Sequence, residues 1–275
     1  MTSLHILSNI SLWKKMNSII LLRLVQQINT WGIIPGLIYL VYLNQPIYYI
    51  ALALSIILIS KVGASIGQHR YFTHKAFKML EWKEKIVAFF AILSTTGSTL
   101  QYVTVHRYHH VNSDNGKDLH SPHEIGYWKS FWHWYTKDPS DTVPLSMIKD
   151  LLRKPWLVSM HKYYFLIIAI YVGLLAIIDI NLVIFCYIIP AGFSWWSSAV
   201  LSLPLHLESQ GYRNFDITDK TVNSHLWNWL TLGEGLHNNH HARPGEYNFA
   251  FTKKSWEWDL SAKIIDLFLK TKDIK

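Results

Sequence analysis

The hydrophobic positions of this chain gather in two long stretches that contain no lysine or arginine. Residues 24–60 carry no charge at all, and residues 163–212 carry only Asp179 and Glu208. A helix that spans a membrane needs about 20 mostly apolar residues, so each stretch has room for two helices around a turn. We predict spans at residues 28–43, 47–66, 163–178 and 181–203.

The predicted fold is therefore all-α and integral to a membrane, with four transmembrane helices in two hairpins. All lysines and arginines lie outside the two stretches, and the positive-inside rule then puts both termini and the central region in the cytoplasm. Within a single domain of residues 1–275, residues 67–162 and 204–275 would form a cytoplasmic helical cap. A compact chain without retention signals favours a bacterial plasma membrane over the endoplasmic reticulum.

Two shorter apolar runs are expected to stay out of the bilayer core. Residues 19–25 are too few to span it and are expected to lie in the interface as an amphipathic helix. Residues 86–104 are uncharged and long enough to cross, but the chain from Lys75 to Val105 is too short for two crossings. We therefore predict a buried or re-entrant segment on the cytoplasmic side.

The composition agrees with a membrane protein and argues against a nucleic-acid partner. Half of the residues are hydrophobic and 16% are charged, against roughly 25% in soluble domains. The net charge is +8, but a nucleic-acid binder distributes its cations along a face or groove. The absence of lysine and arginine from two long stretches instead favours a lipid bilayer as the partner.

Eight of the fifteen histidines form three motifs. An HxxxxH motif holds His69 and His74, and two HxxHH motifs hold the others: His106, His109, His110, His237, His240 and His241. Positions i, i+3 and i+4 share one face of a helix, whereas His69 and His74 would diverge by about 140° and would serve two metals or straddle a helix end. Eight imidazoles are too many for one ion and suit two ions of Zn, Cu, Fe or Ni.

Carboxylates near the motifs are candidates for holding the outer nitrogen of a metal-binding ring. Asp114 and Asp118 follow the second motif, and Glu234 precedes the third. The alternative for these residues is an ordinary solvated loop charge or a helix N-cap.

The three motifs, together with Gly67-Gln68 before the first and Gly233-Glu234-Gly235 before the third, resemble the membrane fatty-acid desaturases, with the stearoyl-CoA (Δ9) branch the most similar. The resemblance implies a di-iron centre ligated by the eight motif histidines, with O₂ as co-substrate and a cis double bond in a saturated acyl chain as product. It also implies a ninth ligand, His206, in an Asn-x-x-x-His pattern. Ser202 replaces the asparagine here, and its hydroxyl could hold a metal-bound water.

The same resemblance implies the partners and a substrate tunnel. A fused cytochrome b5 would carry a His-Pro-Gly-Gly motif, which this chain lacks, so an external donor, either ferredoxin or cytochrome b5, is expected. The acyl substrate would be linked to CoA, a carrier protein or a lipid. By family position, Gln101, Tyr102 and Ser198 would lie near the bend of an apolar tunnel.

Two other functions remain open from the sequence. A hydroxylase or monooxygenase of the same superfamily would act on an alkyl or lipid substrate and yield an alcohol. A membrane metal transporter or sensor would place its ligands within the bilayer, whereas these motifs lie at the ends of the predicted spans.

Overall fold

The computed structural model describes residues 19–119, 121–136 and 142–271. Within these ranges the chain is helical and has no β-strand, only isolated bridges. We number the α-helices α1 Ile19–Leu43, α2 Pro46–Ser55, α3 Glu81–Leu93, α4 Thr99–Asn112, α5 Pro122–Ile125, α6 Tyr127–Thr136, α7 Pro155–Lys162, α8 Tyr164–Ile178, α9 Ile180–Val183, α10 Ile189–Ser202, α11 His225–Leu230, α12 His237–Ala242 and α13 Leu260–Ile264.

Other helical types continue or connect these elements. Three π-helical segments prolong α2, α9 and α13: Ile56–Thr73, Ile184–Ile188 and Ile265–Leu269. Short 3₁₀ turns lie at Leu145–Ile148, Leu151–Arg153, Pro204–His206 and Glu208–Gln210. The segment Ile56–Thr73 is much longer than the single-turn bulges in which π-helix usually occurs, often at functional sites.

Three helices are long and apolar enough to cross a membrane, namely Ile20–Leu43, Pro46–Thr73 and Ile180–His206. A fourth candidate combines α7 and α8, which are bent by 68° relative to each other. Their outward side chains are apolar and exposed, for example Ile34 at 67% and Ile177 at 83%, as expected for surfaces that face lipid. The expectation of an all-helical protein with membrane spans is confirmed.

The first of these helices is longer than the predicted span 28–43. It begins at Ile19, so residues 19–25 continue the span and do not form a separate interfacial helix. The polar residues Gln26 and Asn29 of this helix are buried and point into the protein. Their amides donate to the carbonyl oxygen of Thr95 at 2.8 Å and to its hydroxyl at 3.3 Å.

The apolar stretch of residues 86–104 is not one straight helix. Helices α3 and α4 are joined by a buried loop of residues 94–98, in which Thr95 and Gly97 have positive φ angles of 56° and 96°. The Gln68 side chain hydrogen-bonds two polar groups of this loop: it donates to the Gly97 carbonyl at 2.9 Å and accepts from the Thr96 hydroxyl at 2.5 Å. The chain therefore turns back on itself beside the helix that carries the first histidine motif.

The two ends of the helical bundle differ in their chemistry. At one end the Tyr48 hydroxyl donates to Asp179 at 2.5 Å, and the Tyr39 hydroxyl donates to Asn181 at 3.0 Å. These contacts join the turn after α1 to the turn after α8. The motif histidines gather at the opposite end.

Candidate metal centre

Nine histidines from four separate parts of the chain converge into two groups. In each group the ligand-capable ring nitrogens all lie within 4.8 Å of one another. The first group comprises His69, His74, His106, His110 and His240, and the second comprises His109, His206, His237 and His241. The Nε2 atom of His240 lies 2.9 Å from Nε2 of His69 and 3.0 Å from Nε2 of His110. In the second group, the Nε2 atoms of His206 and His237 are 3.3 Å apart.

Each HxxHH motif supplies both groups. In α4 the i, i+4 pair His106 and His110 belongs to the first group, while His109 belongs to the second. In α12 the i, i+4 pair His237 and His241 belongs to the second group, and His240 to the first. The three rings of each HxxHH motif were expected to share one face of a helix, and the structure divides them between the two groups, with the i+3 ring in the neighbouring group.

The two histidines of the HxxxxH motif straddle a helix end. His69 lies in the π-helical segment Ile56–Thr73, and His74 is the residue that follows it. Both belong to the first group. Of the two arrangements that the sequence left open, the structure therefore has the one at a helix end.

An arginine within the second motif anchors it to the first. The Arg107 guanidinium donates to the carbonyl oxygens of Phe72 and Thr73, at 2.7 and 3.0 Å, where the π-helical segment ends. The same group bonds the Met147 carbonyl at 2.7 Å and both oxygens of Asp150. This contact fixes α4 against the end of the segment that carries His69.

Four imidazoles have a carboxylate at their outer nitrogen Nδ1. Three of these carboxylates are the ones that the sequence singled out, and the fourth, Asp219, was missed. The pairs are His109–Asp118 at 2.9 Å, His206–Asp114 at 3.1 Å, His241–Asp219 at 2.8 Å and His69–Glu234 at 3.5 Å. Asp219 lies 22 positions before His241 and belongs to no motif, so no spacing in the sequence indicates it.

Most of these rings are held neutral. Burial, with further contributions from neighbouring rings, holds the pKa well below its usual value in six of them: His74, His106, His110, His237, His240 and His241. Burial would also lower the pKa of His109, but the Asp118 carboxylate outweighs it and the pKa is raised. Neutral imidazole is the form that binds a metal.

Burial would raise the pKa of Glu234, but the charges of Arg70 and Lys61 outweigh it and hold that pKa well below its usual range. Burial would raise the pKa of Asp114 as well, and the bond to His206 contributes to lowering it instead. Both carboxylates are therefore ionised at neutral pH; Asp114 accepts a hydrogen bond from the His206 ring, and Glu234 stands 3.5 Å from His69 Nδ1.

The donor set fits metal ions. His74 Nε2 and His241 Nε2 are buried and have no hydrogen-bond partner among the described residues. A buried polar atom without a partner is costly and calls for an explanation such as an ion. A metal ion in each group would explain these atoms, because the groups offer five and four imidazole nitrogens and imidazole is a good ligand for Fe, Zn, Cu and Ni.

Small cavities lie between the histidines and the spanning helices. One is lined by Tyr102, Ser198, Ser202 and rings of both groups, and a second shares Tyr102 and Ser198. The Ser202 hydroxyl donates to the Ser198 carbonyl at 3.1 Å. Gln101 lines neither cavity, because its side chain accepts from the Ser98 backbone at 3.0 Å in a capping box that begins α4.

Candidate spans with two buried histidine groups at one end define a helical membrane protein built to hold metal. The sequence profile described as fatty acid desaturase matches residues 19–253. The chain therefore belongs to the fatty acid desaturase family and is an oxidoreductase of fatty acid desaturation. The resemblance in the histidine motifs is confirmed, and membership of this family leaves no support for a metal transporter or sensor.

Similar proteins within the family differ in substrate. The chain is 29% identical over 208 residues to an sn-1 stearoyl-lipid 9-desaturase of Anabaena variabilis, covering 75% of each chain. It is 30% identical over 196 residues to an sn-2 palmitoyl-lipid 9-desaturase of Nostoc sp. (strain 36), covering 68% of this chain and 67% of that one. It is 29% identical over 229 residues to a hex-5-enoyl-[acyl-carrier protein] acetylenase of Moorena producens (strain JHB), covering 75% and 70%.

Proposed function

We propose that this chain is an oxygen-dependent acyl desaturase that introduces a cis double bond, at Δ9, into a saturated acyl chain at a di-iron centre. The observation that carries the proposal is the pair of buried histidine groups, with five and four ring nitrogens each within 4.8 Å. The first group would hold one iron and the second group the other. Nine imidazoles from four chain segments have no other evident use at the end of a membrane bundle.

Iron follows from the reaction. A methylene C–H bond is not acidic enough for any side-chain base, so its hydrogen must be removed by activated oxygen. Zinc has no redox chemistry, whereas iron accepts imidazole ligands and changes oxidation state. Two bound irons would supply O₂ activation: two hydrogens from the acyl chain, two electrons from the external donor and two protons would together reduce O₂ to two waters.

The residues around the histidines would orient them. A carboxylate that accepts the Nδ1 proton fixes the tautomer, so that Nε2 presents its lone pair to the ion. Asp114, Asp118, Asp219 and Glu234 are in position to do this. Ser202 lines the cavity beside the second group, and we retain the proposal that its hydroxyl holds a metal-bound water.

The substrate would approach from the side of the spanning helices. Tyr102 and Ser198 line both cavities there, which supports their assignment to the tunnel, whereas the capping role of Gln101 does not support its assignment. Two of the relatives are named for acyl-lipid substrates and position 9. These names favour a lipid-linked chain and Δ9 insertion.

The membrane arrangement that fits best has two hairpins, with the histidine groups in a cytoplasmic cap and both termini on that side. The Tyr48–Asp179 contact at the opposite end joins two turns that lack lysine and arginine. Exposed cations such as Lys117, Lys220 and Lys263 surround the cap. They would steer an acidic donor, either ferredoxin or cytochrome b5, toward it.

The test is expression in cells that make no monounsaturated fatty acid, followed by analysis of total lipids. The account predicts a cis monounsaturated chain with the wild type, none with His240→Ala, and wild-type levels with His225→Ala, which alters an exposed histidine outside both groups. An alcohol as the product would establish a hydroxylase instead. Full activity of His240→Ala would refute the ligand assignment.

A further inference from the structure

A lysine is buried inside one of the spanning helices, close to the first histidine group. Lys61 has no exposed surface, and its Nζ lies 2.6 Å from the Thr231 carbonyl and 3.7 Å from the Glu234 carboxylate. An ionisable residue at membrane depth is costly and marks a functional site by default. Lys61 lies within the predicted span 47–66 but in no histidine motif.

The carboxylate that Lys61 approaches also serves a candidate ligand. Glu234 Oε2 lies 3.5 Å from His69 Nδ1, while Oε1 accepts from Arg70 at 2.7 Å. Arg70 in turn bonds Asp259 at 2.6 Å. Two cations and two carboxylates therefore stand beside the first group, and their charges cancel.

Two carboxylates beside the second group, Asp114 and Asp219, differ from Glu234 in this respect. Within the described part of the chain, neither Asp114 nor Asp219 lies within ion-pair distance of a lysine or arginine side chain. Asp114 accepts from His206, the Ser121 hydroxyl and a backbone N–H. Asp219 accepts from His241 and from the backbone and hydroxyl of Thr221. Their negative charge acts on the rings undiminished.

We infer that the two metal positions are electronically unequal, which rests on the proposed two-ion centre. The second group binds its ion more tightly and keeps it oxidised at a lower potential than the first. An anionic carboxylate behind an imidazole raises its basicity as a ligand and stabilises positive charge on the ion, and a cation at that carboxylate cancels the effect. Lys61 and Arg70, which both act through Glu234, are the positioning residues that set the difference.

The first group has five imidazoles and the second has four, which works against this difference. The inference assigns the larger effect to the charge behind the rings, and the order of the two Co²⁺ binding steps tests that assignment.

The first test titrates Co²⁺ into the chelator-treated full chain in detergent and follows its absorption. Two binding steps are expected, with the tight step lost in His237→Ala and the weak step lost in His74→Ala. Two equal steps, or loss of the tight step in His74→Ala, would overturn the inference alone. Binding of fewer than two Co²⁺ ions would overturn the proposed two-ion centre with it.

Charge variants then test the cause of the difference. Asp219→Asn should weaken the tight step by about 10- to 100-fold, the usual cost of a lost outer partner. Lys61→Met should tighten the weak step on the order of tenfold, because Glu234 loses a cation. The control is Lys85→Met, which breaks only an exposed pair with Glu81 and should leave both steps unchanged. A weak step unchanged or weakened in Lys61→Met would overturn the role of Lys61.

A redox titration keeps the inference testable if Lys61→Met does not fold. One-iron forms are prepared from His74→Ala, which leaves the second group intact, and from His237→Ala, which leaves the first. The second group alone should have the lower midpoint potential, by about 59 mV for each tenfold preference for the oxidised ion. Equal potentials, or a lower potential in the first group, would contradict the inference.

Discussion

At the scale of single residues, the two histidine groups share one condition: rings that would take up a proton in water are buried in the neutral form. The pKa of His240 is lowered by burial first and by the neighbouring rings second, and His106 and His237 follow the same pattern. Because no proton has to leave these rings, each nitrogen lone pair is available to an ion at neutral pH.

This condition predicts that the metal-free protein loses stability as the pH falls below about 6.5, the ordinary pKa of histidine. Below that pH the histidines of the unfolded chain are protonated, whereas the buried rings of the folded chain stay neutral. The unfolding free energy therefore falls by about 1.4 kcal/mol per pH unit for each buried ring. Denaturant unfolding between about pH 7.5 and about pH 5.5 measures this slope. His240→Ala should make it shallower and His225→Ala should not, whereas a flat profile for the wild type would contradict the assigned charge states.

The sequence indicated the candidate ligands more clearly than it indicated the residues that contact them. The eight motif histidines carry their own signal in fixed spacing, and Asp114 and Asp118 lie close enough to the second motif to be suspected. Asp219 and Lys61 became visible only in three dimensions, since they meet His241 and Glu234 through contacts between distant parts of the chain. Residues that act through another residue leave no local pattern.

At the scale of elements, the centre depends on how α4 is held against the π-helical segment Ile56–Thr73. Close helix approach is possible because Gly63 and Gly67 face α3, where a Cβ would overlap the Phe90 carbonyl and Val87. Arg107 then satisfies the last carbonyls of the segment. Hydrophobic periodicity predicts such helices but does not contain the contacts that set their relative height.

Replacing the anchoring arginine tests this view. Arg107→Met should lower the unfolding free energy by about 3 kcal/mol, because it leaves carbonyl oxygens and a carboxylate without their charged donor. The unfolding free energy of Arg107→Lys should lie between those of the wild type and Arg107→Met, since an ammonium group cannot reproduce the planar array of donors of a guanidinium. Thermal unfolding in detergent is the measurement, and Arg153→Met, at an exposed position, is the matched control. Equal midpoints for Arg107→Met and the control would show that the anchor is dispensable.

Element boundaries were predictable only where nothing but hydrophobicity decides them. The turn between the predicted spans 28–43 and 47–66 lies where it was expected, since α1 ends at Leu43 and α2 begins at Pro46. The first span was predicted from residue 28, whereas α1 begins at Ile19 and includes Gln26 and Asn29, whose amides are both satisfied by Thr95 inside the protein. A polar residue in a span can have an internal partner, and the sequence does not show which residue that is.

At the scale of the whole molecule, the account requires distant parts of the chain to meet on one side of a membrane. His69 lies in the last turns of one candidate span and His74 follows its end, His206 ends another span, and the remaining six rings lie on helices outside the candidate spans. A cage assembled in this way closes only if all these segments emerge on the same face. The distribution of cations predicts that this face is the cytoplasmic one.

The most direct test of this central claim is labelling of single cysteines in intact cells with a thiol reagent that does not cross membranes. The native buried Cys186 is first replaced by serine, and one cysteine at a time replaces Gln45, Lys75, Lys117 or Lys263, all exposed. The account predicts that only Gln45→Cys is labelled from outside, while the other three react only after the membrane is opened. Labelling of Lys75→Cys and Lys117→Cys from opposite sides would contradict it, because the first two histidine motifs could then never share an ion.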